Sequence, residues 1–335
     1  MALAATLVVA SLLAAGCGDD GDDSTSTPAS GSTGAFPVEV EHAFGVTVVP
    51  AAPTRIVVVG LSEQDTVLAL GVVPVGVTEW YGDHPYATWP WAQDELGDAT
   101  PEVLSTADGF EYERIAALRP DLIIGTNAGV DATSYRLLSA IAPTVAHGPN
   151  GPSYFSPWDD QALLIGRALG QEAEVRSLID GIGRQFAAAA AAHPEFAGKR
   201  IVFLQNAFYD GAAIAYQDGL STDFLTDLGF VVPPELAPFE QESQAVIPLE
   251  QLSVLDVADV LLWATEAPED RVELEKEAVY GGLQEVREGR LVFTDSVSAG
   301  AIYFTSLLSL PHVLEHLVPA LADTLAGKGP SVITT

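Results

Sequence analysis

His312-Val313-Leu314-Glu315-His316 has the spacing of an inverted zinc-peptidase motif, in which two histidines one helical turn apart hold the metal. Pro311 and Pro319 bracket it closely and no third ligand lies nearby, so the spacing is read as coincidence. Gly60-Leu61-Ser62-Glu63 lacks the glycine two residues after the serine that a nucleophile elbow needs, and no glycine-rich phosphate loop follows the first apolar run. No nucleophile–base pair stands out, so the chain reads as a non-enzyme. What remains is a pair of carboxylates. Glu113 sits in Tyr112-Glu113-Arg114-Ile115-Ala116-Ala117-Leu118 and Glu250 in Leu249-Glu250-Gln251-Leu252-Ser253-Val254-Leu255. In each phrase apolar residues stand just before the acid and at two and five positions after it, the pattern of a short amphipathic helix with an exposed carboxylate in its first turn.

The elements around these acids repeat as well. Asp121 precedes the apolar run 122–124 and Asp259 precedes 260–262. Arg55-Ile56-Val57-Val58-Val59 matches Arg200-Ile201-Val202-Phe203-Leu204 as the first strand of each half. Each is followed by a similar phrase, Asp65 through Leu68 and Asp223 through Leu225, that runs to a Leu-Gly and then a proline, Pro74 or Pro233. The second copy carries a longer insertion, at about 205–222. Two related α/β lobes in tandem follow from this. Strands are expected at 56–59, 73–77, 122–124 and 144–146, then at 201–204, 230–232, 260–263 and 291–294, with helices at 63–70, 111–118, 133–141 and 158–169. Short strands joined by helices argue for mainly parallel sheets. Residues 171–192 place Val175, Leu178, Ile179, Ile182 and Phe186 at helical spacing, which makes one rod roughly 30 Å long. A last helix, at 307–325, is expected to be broken by Pro311 and Pro319.

The amino-terminal stretch 3–15 is apolar but too short for a stable span, and it ends at Ala14-Ala15-Gly16-Cys17, the chain's one cysteine. It reads as an export signal with Cys17 as the lipid-attachment site. No Lys or Arg precedes the run, and Ala14 stands where a lipoprotein signal usually has Leu; a cleaved secretory signal or a chance apolar start is the alternative. Residues 18–37, rich in Asp, Ser, Thr and Gly, read as a hydrated tether. The domain reading is thus signal and cysteine 1–17, tether 18–37, first lobe 38–170, inter-lobe helix 171–193 and second lobe 194–335. A formal charge of −32, with Lys199, Lys276 and Lys328 as the three lysines, argues against nucleic acid as a partner.

In residue order the chain resembles the iron-siderophore, haem and vitamin B12 substrate-binding proteins of ABC importers. The likeness is carried by Arg55-Ile56-Val57-Val58, by 68–77, by Trp80-Tyr81-Gly82-Asp83 with Trp89-Pro90-Trp91, by 306–311, and above all by 113–124. It implies an α/β fold of two Rossmann-like lobes joined by one long spanning α-helix, with the ligand in the cleft between them. It also implies that Glu113 and Glu250 dock onto arginines of a permease dimer, one per half, as carboxylates that accept bidentate hydrogen bonds. The ordinary alternative for both is that an acid in a first helical turn complements the helix dipole.

Ligands of open α/β sheets meet the loops beyond the carboxyl ends of the strands. That rule selects Trp80, Tyr81, Asn127, Tyr209, Tyr216, Trp263 and Tyr303 as ligand-binding residues, whereas Trp89 and Trp91 are expected to pack locally. The nearest basic groups are Arg136 and Arg271, so a neutral trihydroxamate-type chelate is expected in preference to a highly charged catecholate. The reading is an exported, lipid-anchored, monomeric solute-binding protein that delivers a ferric siderophore to a permease, with no resident cofactor or metal. A cobalamin or haem carrier of the same class is the alternative. A bare-metal binder could use His84 and His147, but the second lobe offers no histidine before His312; an extracellular hydrolase has the least support.

Overall fold

The computed structural model describes residues 36–79, 81–219, 222–241 and 244–335. The expected signal, Cys17 and almost all of the expected tether lie outside these residues, as does Trp80. After a hairpin of β1 (Val38–His42) and β2 (Gly45–Val49), the first lobe is built on β3 (Ile56–Val58), β4 (Gly76–Glu79), β5 (Glu102–Ser105), β6 (Leu122–Gly125) and β7 (Thr144–Ala146). These five strands form an all-parallel sheet in the order β5-β4-β3-β6-β7. Its central strands are buried, as expected of short apolar runs covered on both faces.

The second lobe holds β8 (Ile201–Tyr209), β9 (Ala212–Tyr216), β10 (Glu240–Gln241), β11 (Gln244–Pro248), β12 (Val260–Ala264), β13 (Leu291–Phe293) and β14 (Ser331–Val332). Their order is β10-β11-β9-β8-β12-β13-β14. From β8 to β14 the pairing is parallel, while β8, β9, β11 and β10 pair antiparallel. The sequence insertion accounts for this mixture. It extends β8 into a hairpin closed by Asp210-Gly211, both at positive φ (48° and 78°), a two-residue turn whose twist suits the flanking strands.

One device recurs in both lobes. The Asp121 carboxylate accepts from the Thr54 and Arg55 amides at 2.8–3.1 Å, and that of Asp259 accepts from the Arg200 amide at 2.8 Å and Lys199 Nζ at 3.2 Å. The acid before β6 or β12 therefore ties that strand to the entry of its neighbour, β3 or β8. The chain crosses between the lobes once, through the helix Glu172–Ala192. Val175, Ile182 and Phe186 form its buried stripe. Gly166 lets the preceding helix, Trp158–Ala168, approach closely: a Cβ there would lie 2.4 Å from Val175 Cγ2.

Several elements differ from the sequence expectation. The strand expected at 73–77 runs Gly76–Glu79, and 230–232 contributes only an isolated bridge between Arg200 and Val231. The final helix runs unbroken through Ser309–Asp323. Pro311 lies in its first turn, where a missing N–H costs nothing, and Pro319 is carried inside it. Glu250 lies not in an α-helix but in the 3₁₀-helix Leu249–Val257, whose turn of three residues matches the spacing of Leu249, Leu252 and Leu255.

The lobes also meet through side chains. The Asp65 carboxylate accepts from Trp91 Nε1 at 2.8 Å and from Ser306 Oγ, 241 residues away in the second lobe, at 2.5 Å. Trp91 stacks on Trp89 with centroids 4.8 Å apart and meets the His312 ring at 5.7 Å. Trp89 covers Gly300, where a Cβ would come within 2.3 Å of the indole. The two tryptophans therefore pack locally, as expected, and across the lobe boundary as well. Burial, then the neighbouring His316, lowers the His312 imidazole to about 4, so it is neutral at neutral pH.

Candidate functional site

Where the carboxyl ends of the two sheets face one another, the lobes leave a cleft of about 660 Å³. The crevice rule for open sheets places a ligand there. From the first lobe come Tyr81, beyond β4, and Tyr154 and Phe155, in the loop that follows β7. The second lobe supplies Gln205, Asn206 and Tyr209 from the end of β8, Tyr216 from the end of β9, Glu266 beyond β12, and Tyr303 with Phe304 at the end of the helix Ser296–Tyr303.

The rings form a connected wall. Tyr216 stacks on Phe203 with centroids 4.5 Å apart, Tyr303 meets both at 5.9–6.1 Å, and Phe304 continues the row to Tyr81 at 6.3 Å. Amides fix the phenols: Gln205 Nε2 donates to Tyr216 Oη at 3.2 Å, and Tyr209 Oη donates to Asn206 Oδ1 at 2.5 Å. Tyr81 from the first lobe and Glu266 from the second line the same cleft, where the carboxylate acts on the phenol.

Burial holds the phenols of Tyr81, Tyr209, Tyr216 and Tyr303 above their ordinary value. The negative charge of Glu266 adds to the effect at Tyr81, Tyr209 and Tyr303. All four are neutral at physiological pH, and they face the cleft as π surfaces and hydrogen-bonding groups rather than as tyrosinates. Such a wall suits a bulky complex whose metal is already wrapped.

Of the ligand residues expected from sequence, Tyr81, Tyr209, Tyr216 and Tyr303 are brought together in this cleft. Trp263 is not: it is 0 % exposed, on a strand flanked by β8 and β13, edge-on to Phe208 and Tyr280. Asn127 borders an adjoining cavity of about 320 Å³ against the spanning helix, which shares Phe155, Tyr303 and Phe304 with the cleft, and its amide is engaged, Oδ1 accepting from the Phe155 amide at 2.7 Å and Nδ2 donating to Ser62 Oγ at 3.3 Å. It holds Phe155, whose backbone sits at φ 54°, rather than facing the main cleft. Neither Arg136 nor Arg271 lines the cleft; Arg271 pairs with Glu275 at 2.9 Å and covers the Phe293 ring.

Tyr154, Phe155, Gln205, Glu266 and Phe304 were not singled out from sequence. Applying the crevice rule to β7 would have reached the first two, because they lie in its carboxyl-end loop.

Glu113 and Glu250 are both exposed. Glu113 opens the helix Tyr112–Ala117, whose N-cap neighbour Glu111 accepts from the Ser105 amide at the end of β5. Glu250 follows β11, whose last residue pairs with Ala212 beside the β8–β9 turn, and the Leu249 amide donates to Gly211 O. Each acid thus stands at the carboxyl-end rim of its own sheet, the same rim that carries the cleft loops.

Similarity to known proteins agrees with this architecture. The family model described as periplasmic binding protein matches residues 56–297. The probable siderophore-binding lipoprotein YfiY of Bacillus subtilis (strain 168) is 30% identical over 282 residues, spanning 78% of this chain and 82% of that one. The Fe(3+) dicitrate-binding periplasmic protein FecB of Escherichia coli (strain K12) is 27% identical over 243 residues, 68% of this chain and 72% of its own. The crystal structure of a periplasmic solute binding protein from Mycobacterium smegmatis superposes with a TM-score of 0.81 at 44% identity, covering 86% of this chain and 98% of that one. These relatives are named as binding proteins, not enzymes. The two-lobed fold, the cleft at its strand ends and the match across most of the described body make this chain a member of the periplasmic binding protein family.

Proposed function

We propose that this chain is the extracytoplasmic solute-binding component of an ABC importer, capturing a ferric siderophore in the inter-lobe cleft and delivering it to a permease dimer. The observation that carries the reading is the cleft itself: aromatic, amide-rich, about 660 Å³ in volume, and lined by phenols kept neutral. A resident ferric ion would call for anionic oxygen ligands, whereas a preformed chelate needs ring faces and hydrogen bonds. The names of the relatives YfiY and FecB point the same way.

Docking is assigned to Glu113 and Glu250, one exposed acid on each rim, as partners for permease arginines. Attachment to the outer face of the cytoplasmic membrane is assigned to a lipid on Cys17, with 18–37 as the leash. Native mass spectrometry of the protein with ferric hydroxamates, ferric catecholates, ferric citrate, haem and cobalamin tests the ligand class. Retention of a ferric chelate supports the reading, and retention of haem or cobalamin alone overturns it. The Glu113→Ala/Glu250→Ala double variant should bind its chelate normally yet fail to support uptake in cells. Normal uptake would remove the docking assignment.

A further inference from the structure

The charges around the cleft are one-sided. Asp218, Glu240 and Glu266 line it, and among the described residues no Lys, Arg or His does. The remaining positions of the chain, 1–35, 80, 220–221 and 242–243, contain none of these residue types either. Five of the arginines, Arg114, Arg167, Arg176, Arg200 and Arg290, are in ion pairs away from the cleft. No cation therefore stands ready to meet an anionic ligand. The lining offers instead the side-chain amides of Gln205, Asn206, Gln217 and Gln244, which can hydrogen-bond the amide and hydroxamate groups of a neutral complex.

We propose that the cleft selects ferric chelates by charge, and that its ligand is a hydroxamate-type complex bearing a free ammonium group, net positive, that faces the Glu266 side of the cleft. This rests on the siderophore reading above and sharpens it. The chemistry has two parts. The wrapped iron core needs only π faces and amides, which the wall of Tyr81, Tyr216, Tyr303 and Phe304 supplies. Capture also removes water from the three carboxylates, which raises their mutual repulsion unless positive charge arrives with the ligand. A polyanionic citrate or tris-catecholate complex would add to that repulsion. The preference separates this protein from a relative such as FecB, which is named for ferric dicitrate.

A charge series on one iron core tests the proposal. A linear ferric trihydroxamate is used with its terminal amine free (+1), acetylated (0) or succinylated (−1), so that only the tail charge changes. Quenching of intrinsic fluorescence in the full chain should give affinities that fall on the order of tenfold per step at low ionic strength, with the steps shrinking as salt is added. Glu266→Gln and, separately, Asp218→Asn should each compress the steps several-fold. Equal affinities across the series, a reversed order, or tighter binding of ferric citrate or a ferric tris-catecholate than of the amine-bearing chelate would overturn the charge proposal while leaving the siderophore reading intact. Failure to bind any of these five complexes would overturn both.

Discussion

Asp65 offers a quantitative test of how the two lobes are held. Its carboxylate is 2 % exposed, both of its hydrogen-bond donors lie on the same oxygen, and Oδ1 has no partner among the described residues. Burial pushes its pKa from 3.8 up to about 6; the bonds from Ser306 and Trp91 pull it part of the way back, and the charge of Glu95 adds to the rise. Between those two values the folded protein holds a proton that the unfolded chain has released. The contribution of this group is therefore most favourable below pH 4, falls as pH rises towards 6, and is level above that. A displacement of about two units corresponds to roughly 3 kcal/mol in all. Near pH 4 the chain's 46 acidic residues begin to protonate and solubility suffers, so the useful window is pH 5 to 7.5, where about 1.4 kcal/mol of that loss remains. Asp65→Asn removes the titration but keeps an acceptor for Ser306 and Trp91. Urea unfolding of both proteins at the two pH values gives a difference of differences in which the other acids cancel. The wild type should lose about 1.4 kcal/mol more than the variant on going from pH 5 to 7.5. Equal losses in the two proteins would refute the buried, ionisable bridge.

Two further substitutions test neighbouring features. Gly300→Ala puts a methyl within 2.3 Å of the Trp89 ring and should cost about 1–3 kcal/mol in thermal unfolding, with a change in tryptophan emission; unchanged stability would show that the lobe boundary has room to spare. Asn127→Ala leaves the Phe155 amide without its acceptor, and should weaken chelate binding several-fold while circular dichroism stays native; full affinity would mean that Phe155 holds its position unaided.

What could be read from the sequence was whatever repeats or follows a period. The central strands, the spanning helix and the paired acids all announce themselves by spacing. Trp263 shows where that ends. Both it and Tyr216 are aromatic residues near the ends of interior strands, but Trp263 packs with Phe208 and Tyr280 in one hydrophobic cluster whereas Tyr216 packs on Phe203 in another, and which cluster a strand-end residue joins is a matter of tertiary packing. Asn127 sits at the expected strand end, yet its amide is already taken by Phe155 and Ser62, a matter of tertiary contact. Tyr154 and Phe155 lie in a Gly- and Pro-rich stretch with no period at all, so only the rule about strand ends could have found them. The 3₁₀ form of 249–257 was hidden because a spacing of three fits an α-helix nearly as well.

The helix Glu172–Ala192 and the buried bridge at Asp65 together leave the molecule few soft degrees of freedom. Much of the ordering cost of capture is therefore met when the chain folds, which favours slow escape of a complex that fits. In the proposed role, cargo would leave at a useful rate only when a partner gripping both rims levers them apart. Residence time in free solution and discharge at the membrane would then be separate quantities, open to independent tuning.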